Sequence, residues 1–164
     1  MNRIILVGNG FDLAHNLRTS YKDFMDWYWG QWRIQLKKSH RRVEDDGLCT
    51  FSIKSNECSW STYYTYNLYN LESYGNKEFI DEIRTRTGCS IQYKPLMERI
   101  VTTLNINNWV DIENEYYQLL IDIKTYPVAE LNKELDNIRS KLIEYLTTLS
   151  KFCVIIPSST ILAI

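Results

Sequence analysis

The fold of this chain is indicated most strongly by Arg3-Ile-Ile-Leu-Val-Gly-Asn-Gly-Phe-Asp-Leu-Ala-His-Asn-Leu-Arg-Thr-Ser-Tyr-Lys-Asp-Phe24. Residues 4–7 form a short apolar run rich in β-branched side chains, which stops at Gly8-Asn9-Gly10. Such a run, bounded by glycine, is typical of a fully buried strand of a parallel sheet. A glycine-rich turn after such a strand can press backbone N–H groups against a phosphate. The sequence therefore predicts an α/β fold with a Rossmann-like start and a nucleotide site at its N-terminus.

The same stretch resembles the opening of the AbiH family of phage abortive-infection proteins. The residues that carry the resemblance are Gly8-Asn9-Gly10-Phe11-Asp12-Leu13-Ala14-His15, Leu17, Thr19-Ser20-Tyr21 and Phe24. A second match, Asn108-Trp109-Val110-Asp111-Ile112-Glu113, is similar to the Trp-x-Asp-x-Glu element of that family. The resemblance implies a phage-defence protein, with a phage component as the trigger.

The opening is also similar to that of the sirtuin-like fold, which begins Gly-Ala-Gly-x-Ser. Gly8 and Gly10 keep the two glycines, whereas Asn9 and Asp12 replace the alanine and the serine. This similarity implies that the loop approaches an NAD-type ligand and that a full-length form hydrolyses NAD. The asparagine and histidine that act later in sirtuin-like enzymes have no counterpart here, so we expect this chain alone to be inactive.

The candidate ligand-binding residues all lie near the glycine-rich turn, whereas catalytic residues cannot be assigned. An ordinary dehydrogenase site is disfavoured, because Leu13 stands where the dinucleotide fingerprint has its third glycine and Asp26 falls in a predicted helix. The alternative is that the turn only joins a strand to a helix, with Asp12 and Ser20 as helix caps. The candidates are Gly8, Asn9, Gly10, Phe11, Asp12, His15, Thr19, Ser20 and Tyr21.

Asp111 and Glu113 are the candidate acidic residues of the second match. They lie two positions apart, so on one helix they point to different sides. We therefore expect one of them to face the pocket and the other to face solvent.

The length, charge and composition of the chain limit the classes of function that it can have. The chain has 164 residues, enough for one domain, and a net charge of −1, which gives no bulk attraction to nucleic acid. The sequence contains no apolar run of transmembrane length and no signal peptide, so we expect a cytoplasmic protein without membrane association. Four scattered cysteines and two histidines predict reduced thiols and no metal site.

Apolar spacing predicts a largely helical middle. Helices are expected from Ser20, over 76–86, over 95–104, after Asn107 or Asn108, and from Pro127, whereas 37–61 is expected to be a solvated loop or an insertion. The last helix carries a heptad-like seam, for which a partner helix in the same chain is favoured over self-association as a homo-oligomer. The seam comprises Val128, Leu131, Leu135, Ile138, Leu142, Tyr145 and Leu149.

A second buried strand is predicted at Phe152-Cys153-Val154-Ile155-Ile156. Two strands separated by a large helical insertion resemble the start of a longer α/β protein, because a sheet needs more than two strands. AbiH-like proteins continue well beyond this length. We therefore expect residues 1–164 to form a single, incomplete AbiH-like domain.

Overall fold

The computed structural model describes residues 18–54, 58–107, 110–121 and 126–153. Six α-helices and three strands lie in this part of the chain. In chain order they are α1 (Tyr21–Lys38), β1 (Val43–Asp45), β2 (Cys49–Ile53), α2 (Trp60–Tyr63), α3 (Asn76–Thr85), β3 (Cys89–Tyr93), α4 (Pro95–Asn107), α5 (Ile112–Ile121) and α6 (Val128–Cys153). A π-helical turn (Tyr64–Leu68) and a 3-10 turn (Tyr69–Leu71) continue α2.

The predicted α/β fold with a Rossmann-like parallel sheet is wrong. The described residues are mainly helical, and the sheet that they form has three antiparallel strands in the order β1-β2-β3. A parallel pair needs a long crossover, whereas β1 and β2 are joined by a short hairpin. The first strand, expected around the apolar run of residues 4–7, lies outside the described residues.

Helix α1 begins where its cap was predicted. The Ser20 side chain accepts a hydrogen bond from the Asp23 backbone N–H at 3.2 Å. The helix runs without interruption through Gly30. A Cβ at Gly30 would lie 3.1 Å from Nδ2 of Asn76, so glycine permits the close approach of α1 and the first turn of α3. The buried residues of α1 are Phe24, Met25, Tyr28, Trp29, Trp32 and Leu36.

Residues 37–61, expected to be a solvated loop or an insertion, instead contain a β-hairpin. Asp46-Gly47-Leu48 connects β1 to β2, and Gly47 has a φ of 82°, in the region that favours glycine. Oδ1 of Asp46 accepts the N–H groups of Leu48 and Cys49, each at 3.0 Å. Along β2, three alternate residues are buried: Cys49, Phe51 and Ile53.

Phe51 joins the sheet to two helices. Its ring centroid lies 4.3 Å from that of Trp32 in α1 and 6.2 Å from that of Trp60 in α2. The indole N–H of Trp60 donates to the Phe51 carbonyl at 3.4 Å. All three side chains are buried. This cluster therefore fixes the sheet against α1 and α2.

Arg33 of α1 anchors the irregular segment that follows α2. Its guanidinium donates to the carbonyl oxygens of Leu71 at 2.8 Å, Glu72 at 2.7 Å and Tyr74 at 2.7 Å. It also lies 4.9 Å from the centroid of Phe79 in α3. One cation thus binds three carbonyls at the end of a helical segment, where backbone acceptors lack the full set of intrahelical partners.

Helix α6 packs within the chain, as favoured from its seam. Leu131, Ile138 and Tyr145 are buried in the core, whereas Val128 at the start of the seam is exposed. Self-association through this helix remains a prediction. The strand predicted from Phe152 is wrong at its first two residues, because α6 extends to Cys153; residues 154–156 lie outside the described ranges.

Glu134 connects α6 to the first turn of α4. Its Oε1 accepts the Met97 backbone N–H at 2.7 Å, so a carboxylate from another helix satisfies one of the unpaired N–H groups at a helix N-terminus. Glu134 is buried. Burial raises the pKa of the Glu134 carboxyl, and hydrogen bonds from Met97 and Leu96 oppose this shift.

Replacement of Arg33 tests how much its guanidinium stabilises the segment that follows α2. We expect Arg33→Met to lower the free energy of unfolding by about 2–3 kcal/mol, because three carbonyls lose a charged donor. Arg33→Lys should recover only part of this loss, since an ammonium cannot form the same planar fork. Urea titration measures both. Lys37→Met, which removes an exposed pair with Glu72, is the control; an equal loss in both methionine variants would contradict the assignment.

Glu134 also predicts a pH dependence. Because its pKa is higher in the folded chain than in the unfolded chain, ionisation favours unfolding. Its contribution is fully present below the unfolded pKa of about 4.3 and is lost as the pH rises through the folded pKa. Glu134→Gln keeps an acceptor for Met97 and does not titrate.

The stability of Glu134→Gln relative to the native chain should therefore increase between pH 4 and pH 7. Urea unfolding of both proteins at several pH values measures this difference. A difference that stays constant or decreases over this range would show that the buried carboxyl does not have a raised pKa.

Candidate functional site

The sequence-predicted site is only partly within the described residues. Gly8, Asn9, Gly10, Phe11, Asp12 and His15 lie outside them, so their predicted role is not tested. Thr19, Ser20 and Tyr21 lie inside them.

Ser20 is the N-cap of α1. Besides accepting the Asp23 N–H, its hydroxyl donates to the Asp23 carboxylate. This is the capping alternative considered for Ser20, and both of its bonds are local. Thr19, half-buried, precedes it.

Tyr21 lines a pocket between the start of α1, α5 and α6, which we call the Tyr21 pocket. The pocket has a volume of about 570 Å³. Asp111 and Glu113 line it together with Tyr21. The end of the first stretch that resembles the AbiH family therefore lies beside the acidic part of the second. The remaining lining residues are Val110, Ile112, Tyr116, Tyr117, Leu120, Leu135, Ile138, Arg139 and Leu142.

Asp111 and Glu113 both line this pocket, and both are also exposed to solvent, so neither residue is confined to one side as the expectation assumed. Asp111 is not inside the helix but precedes it, and its Oδ1 accepts the Asn114 backbone N–H at 3.1 Å as an N-cap. Glu113 lies in the first turn of α5. The rule for side chains two positions apart applies only when both residues are helical, so it fails here.

The two carboxylates affect Tyr21 electrostatically. Burial raises the pKa of the Tyr21 hydroxyl, and the negative charges of Glu113 and Asp111 raise it further. At neutral pH Tyr21 is therefore an uncharged hydrogen-bond donor next to two acceptors.

Arg139 gives the pocket a cationic side chain. It projects from α6, where it is largely exposed and lies 3.4 Å from Oδ1 of Asp136. The pocket thus combines a guanidinium, two carboxylates and three phenols on an apolar floor. Sequence reasoning missed Arg139, Tyr116 and Tyr117, although Arg139 follows directly after a seam residue, Ile138.

Tyr145 of α6 fixes the start of α1 beside this pocket. Its hydroxyl donates to the carbonyl oxygen of Arg18, three residues before Tyr21. Its ring lies 5.9 Å from that of Phe24 and 5.5 Å from that of Trp27, centroid to centroid. These contacts position the described end of the N-terminal stretch.

The described ranges show neither a metal-binding cluster nor a membrane-spanning helix. No group of three or more histidine, cysteine, aspartate or glutamate side chains there is arranged to hold a metal ion. None of the helices in those ranges combines the length and apolar character that crossing a bilayer requires.

Comparison with known proteins gives one match. The family model described as bacteriophage abortive infection AbiH matches residues 4–152. Searches among curated proteins and among solved structures find no match. The matched range includes the glycine-rich turn, the acidic element and nearly all of α6. The chain therefore belongs to the AbiH family of bacteriophage abortive infection proteins.

Proposed function

We propose that this phage-defence protein binds a nucleotide at the Tyr21 pocket, with NAD as the first candidate. One observation carries the proposal: the pocket brings Tyr21, at the end of the glycine-rich stretch, next to Asp111 and Glu113. Residues that are about 90 positions apart in sequence thus line one surface. Its volume of about 570 Å³ is within the usual range for small-molecule sites.

The side chains of the pocket suit the parts of a nucleotide. Carboxylates accept hydrogen bonds from sugar hydroxyls and from exocyclic amino groups of bases. A guanidinium binds phosphate through paired donors, which Arg139 supplies. The phenol rings of Tyr116 and Tyr117 offer faces on which a base can stack.

Charge defines the orientation of this ligand. Asp111 and Glu113 repel phosphate, so the sugar or base should lie next to them. The phosphates should then lie toward Arg139. The trigger is proposed to be a phage component that changes the occupancy of this site.

Calorimetry with NAD and with ATP tests the proposal on the full 164-residue chain. Glu113→Gln and Arg139→Gln should each weaken binding about tenfold, because each removes a charge-assisted hydrogen bond of roughly 1.5 kcal/mol. Asp111→Asn should weaken it while the helix cap is kept, since asparagine caps as well as aspartate.

Glu144→Gln is the matched control. Glu144 lies on an exposed face of α6 and pairs only with Lys141 among the described residues. Its replacement should leave affinity unchanged. The proposal fails if neither nucleotide binds, or if Glu113→Gln and Glu144→Gln bind with the affinity of the native chain.

A further inference from the structure

A second pocket lies on another side of α1, between α1, α3, β3 and α4. It has a volume of about 490 Å³ and shares no lining residue with the Tyr21 pocket. We call it the Trp29 pocket. Its lining residues are Lys22, Asp23, Met25, Asp26, Trp29, Lys77, Ile80, Asp81, Tyr93, Val101, Leu104 and Asn105.

The walls of the Trp29 pocket are apolar and aromatic. Trp29 of α1 and Tyr93 of β3 lie with their ring centroids 6.0 Å apart. Val101 and Leu104 close the α4 side, where both are only partly buried. Such walls suit a ligand with a flat or aliphatic body, because they are lined by surface that water solvates poorly.

The hydroxyl of Tyr93 is unsatisfied. It is buried and has no hydrogen-bond partner among the residues that the structure describes. An unpaired buried hydroxyl costs about 1–3 kcal/mol. Because this oxygen is shielded from solvent, a ligand in the pocket contacts other atoms of Tyr93 and not its hydroxyl.

The rim of the pocket carries an excess of negative charge. Three aspartates and two lysines line it, and Lys77 is paired with Asp81 at 2.8 Å. This leaves Asp23 and Asp26 against Lys22. In the described ranges neither of these carboxylates forms a salt bridge, and their hydrogen bonds come from the neutral groups of Ser20 and Asn76.

Asp26 is held in place at this rim. The side-chain amide of Asn76 donates to its backbone carbonyl at 3.1 Å and lies 3.4 Å from its Oδ2. Gly30, one helical turn later in α1, leaves the space that Asn76 occupies. Asn76 thus fixes the backbone of Asp26 and gives its exposed carboxylate one polar partner, which restricts the positions that the carboxylate can take.

We propose that the Trp29 pocket binds a small organic cation, an ammonium group attached to an aromatic or aliphatic body. The body packs between Trp29 and Leu104, and the ammonium lies at the rim near Asp26. The indole ring of Trp29 also attracts a cation, so both parts of the site favour the same sign of charge. The Tyr93 ring already has a cation beside it, because the Arg84 guanidinium lies 5.5 Å from its centroid. An anion would meet the excess carboxylate charge.

Three matched fragments test the sign of charge directly: benzylamine, benzyl alcohol and benzoate, which share a ring and differ in their head group. Binding to the full chain is measured by saturation-transfer NMR titration. We expect benzylamine to bind with a Kd on the order of 1–10 mM, as fits so small a ligand. Benzyl alcohol should bind more weakly, and benzoate most weakly.

Two variants that each remove one charge at the rim should change the affinity for benzylamine in opposite directions. Asp26→Asn, which keeps an oxygen for Asn76, should weaken benzylamine binding about three- to fivefold, whereas Lys22→Gln should strengthen it by a similar factor. Neither should change the binding of benzyl alcohol. Leu104→Trp, which fills the pocket from α4, should abolish binding of both fragments.

The proposal is overturned if benzylamine does not bind at 10 mM or binds no better than benzoate. It is also overturned if Asp26→Asn and Lys22→Gln leave its affinity unchanged, which would place the fragment elsewhere. If either benzylamine or benzyl alcohol still binds to Leu104→Trp, the proposal is overturned for the same reason. Both charge variants change exposed side chains, so the test does not depend on a core substitution that unfolds the chain.

Discussion

The candidate site depends on how Tyr145 holds the start of α1 against α6. The hydroxyl of Tyr145 binds the Arg18 carbonyl, and its ring packs against Phe24 and Trp27. Because Tyr145 is buried, these contacts are shielded from water and fix the direction in which the chain enters α1. The same helix contributes Arg139 to the Tyr21 pocket and carries Glu134, which caps α4. Helix α6 thus holds α1 and α4 in place and also lines the Tyr21 pocket.

The helices were predictable where local sequence signals mark their starts and their buried faces. Ser20 with Asp23, Pro95 and Pro127 marked helix starts, and regular apolar spacing marked the buried faces. The sheet was not predicted. The many charged residues in 37–46 favoured a solvated loop over a hairpin. The alternation of Cys49, Phe51 and Ile53 was nevertheless a signal for β2. Strand β3 depends on pairing with β2 across about 40 residues, which no local pattern reports.

The sequence indicated candidate residues of the Tyr21 pocket in two separate motifs, but not that these residues line one pocket. The family resemblance indicated Tyr21, Asp111 and Glu113. Their common pocket follows from the packing of α1, α5 and α6, which sequence spacing does not specify. The expectation treated Asp111 as helical, whereas it is the N-cap of α5, and a cap residue has non-helical backbone that directs its side chain differently. Arg139 was missed because an exposed arginine beside an apolar seam is usually only a solvated side chain.

The central claim is that the end of the glycine-rich stretch and the acidic element face each other at one pocket. Titration of Tyr21, followed by NMR of the full chain labelled at the tyrosine Cζ, tests it directly. The account predicts that the Tyr21 pKa is above the usual value of about 10 and falls part of the way toward it in the Asp111→Asn, Glu113→Gln double variant, since burial remains. A Tyr21 pKa that is not raised, or that the double variant leaves unchanged, would contradict the account.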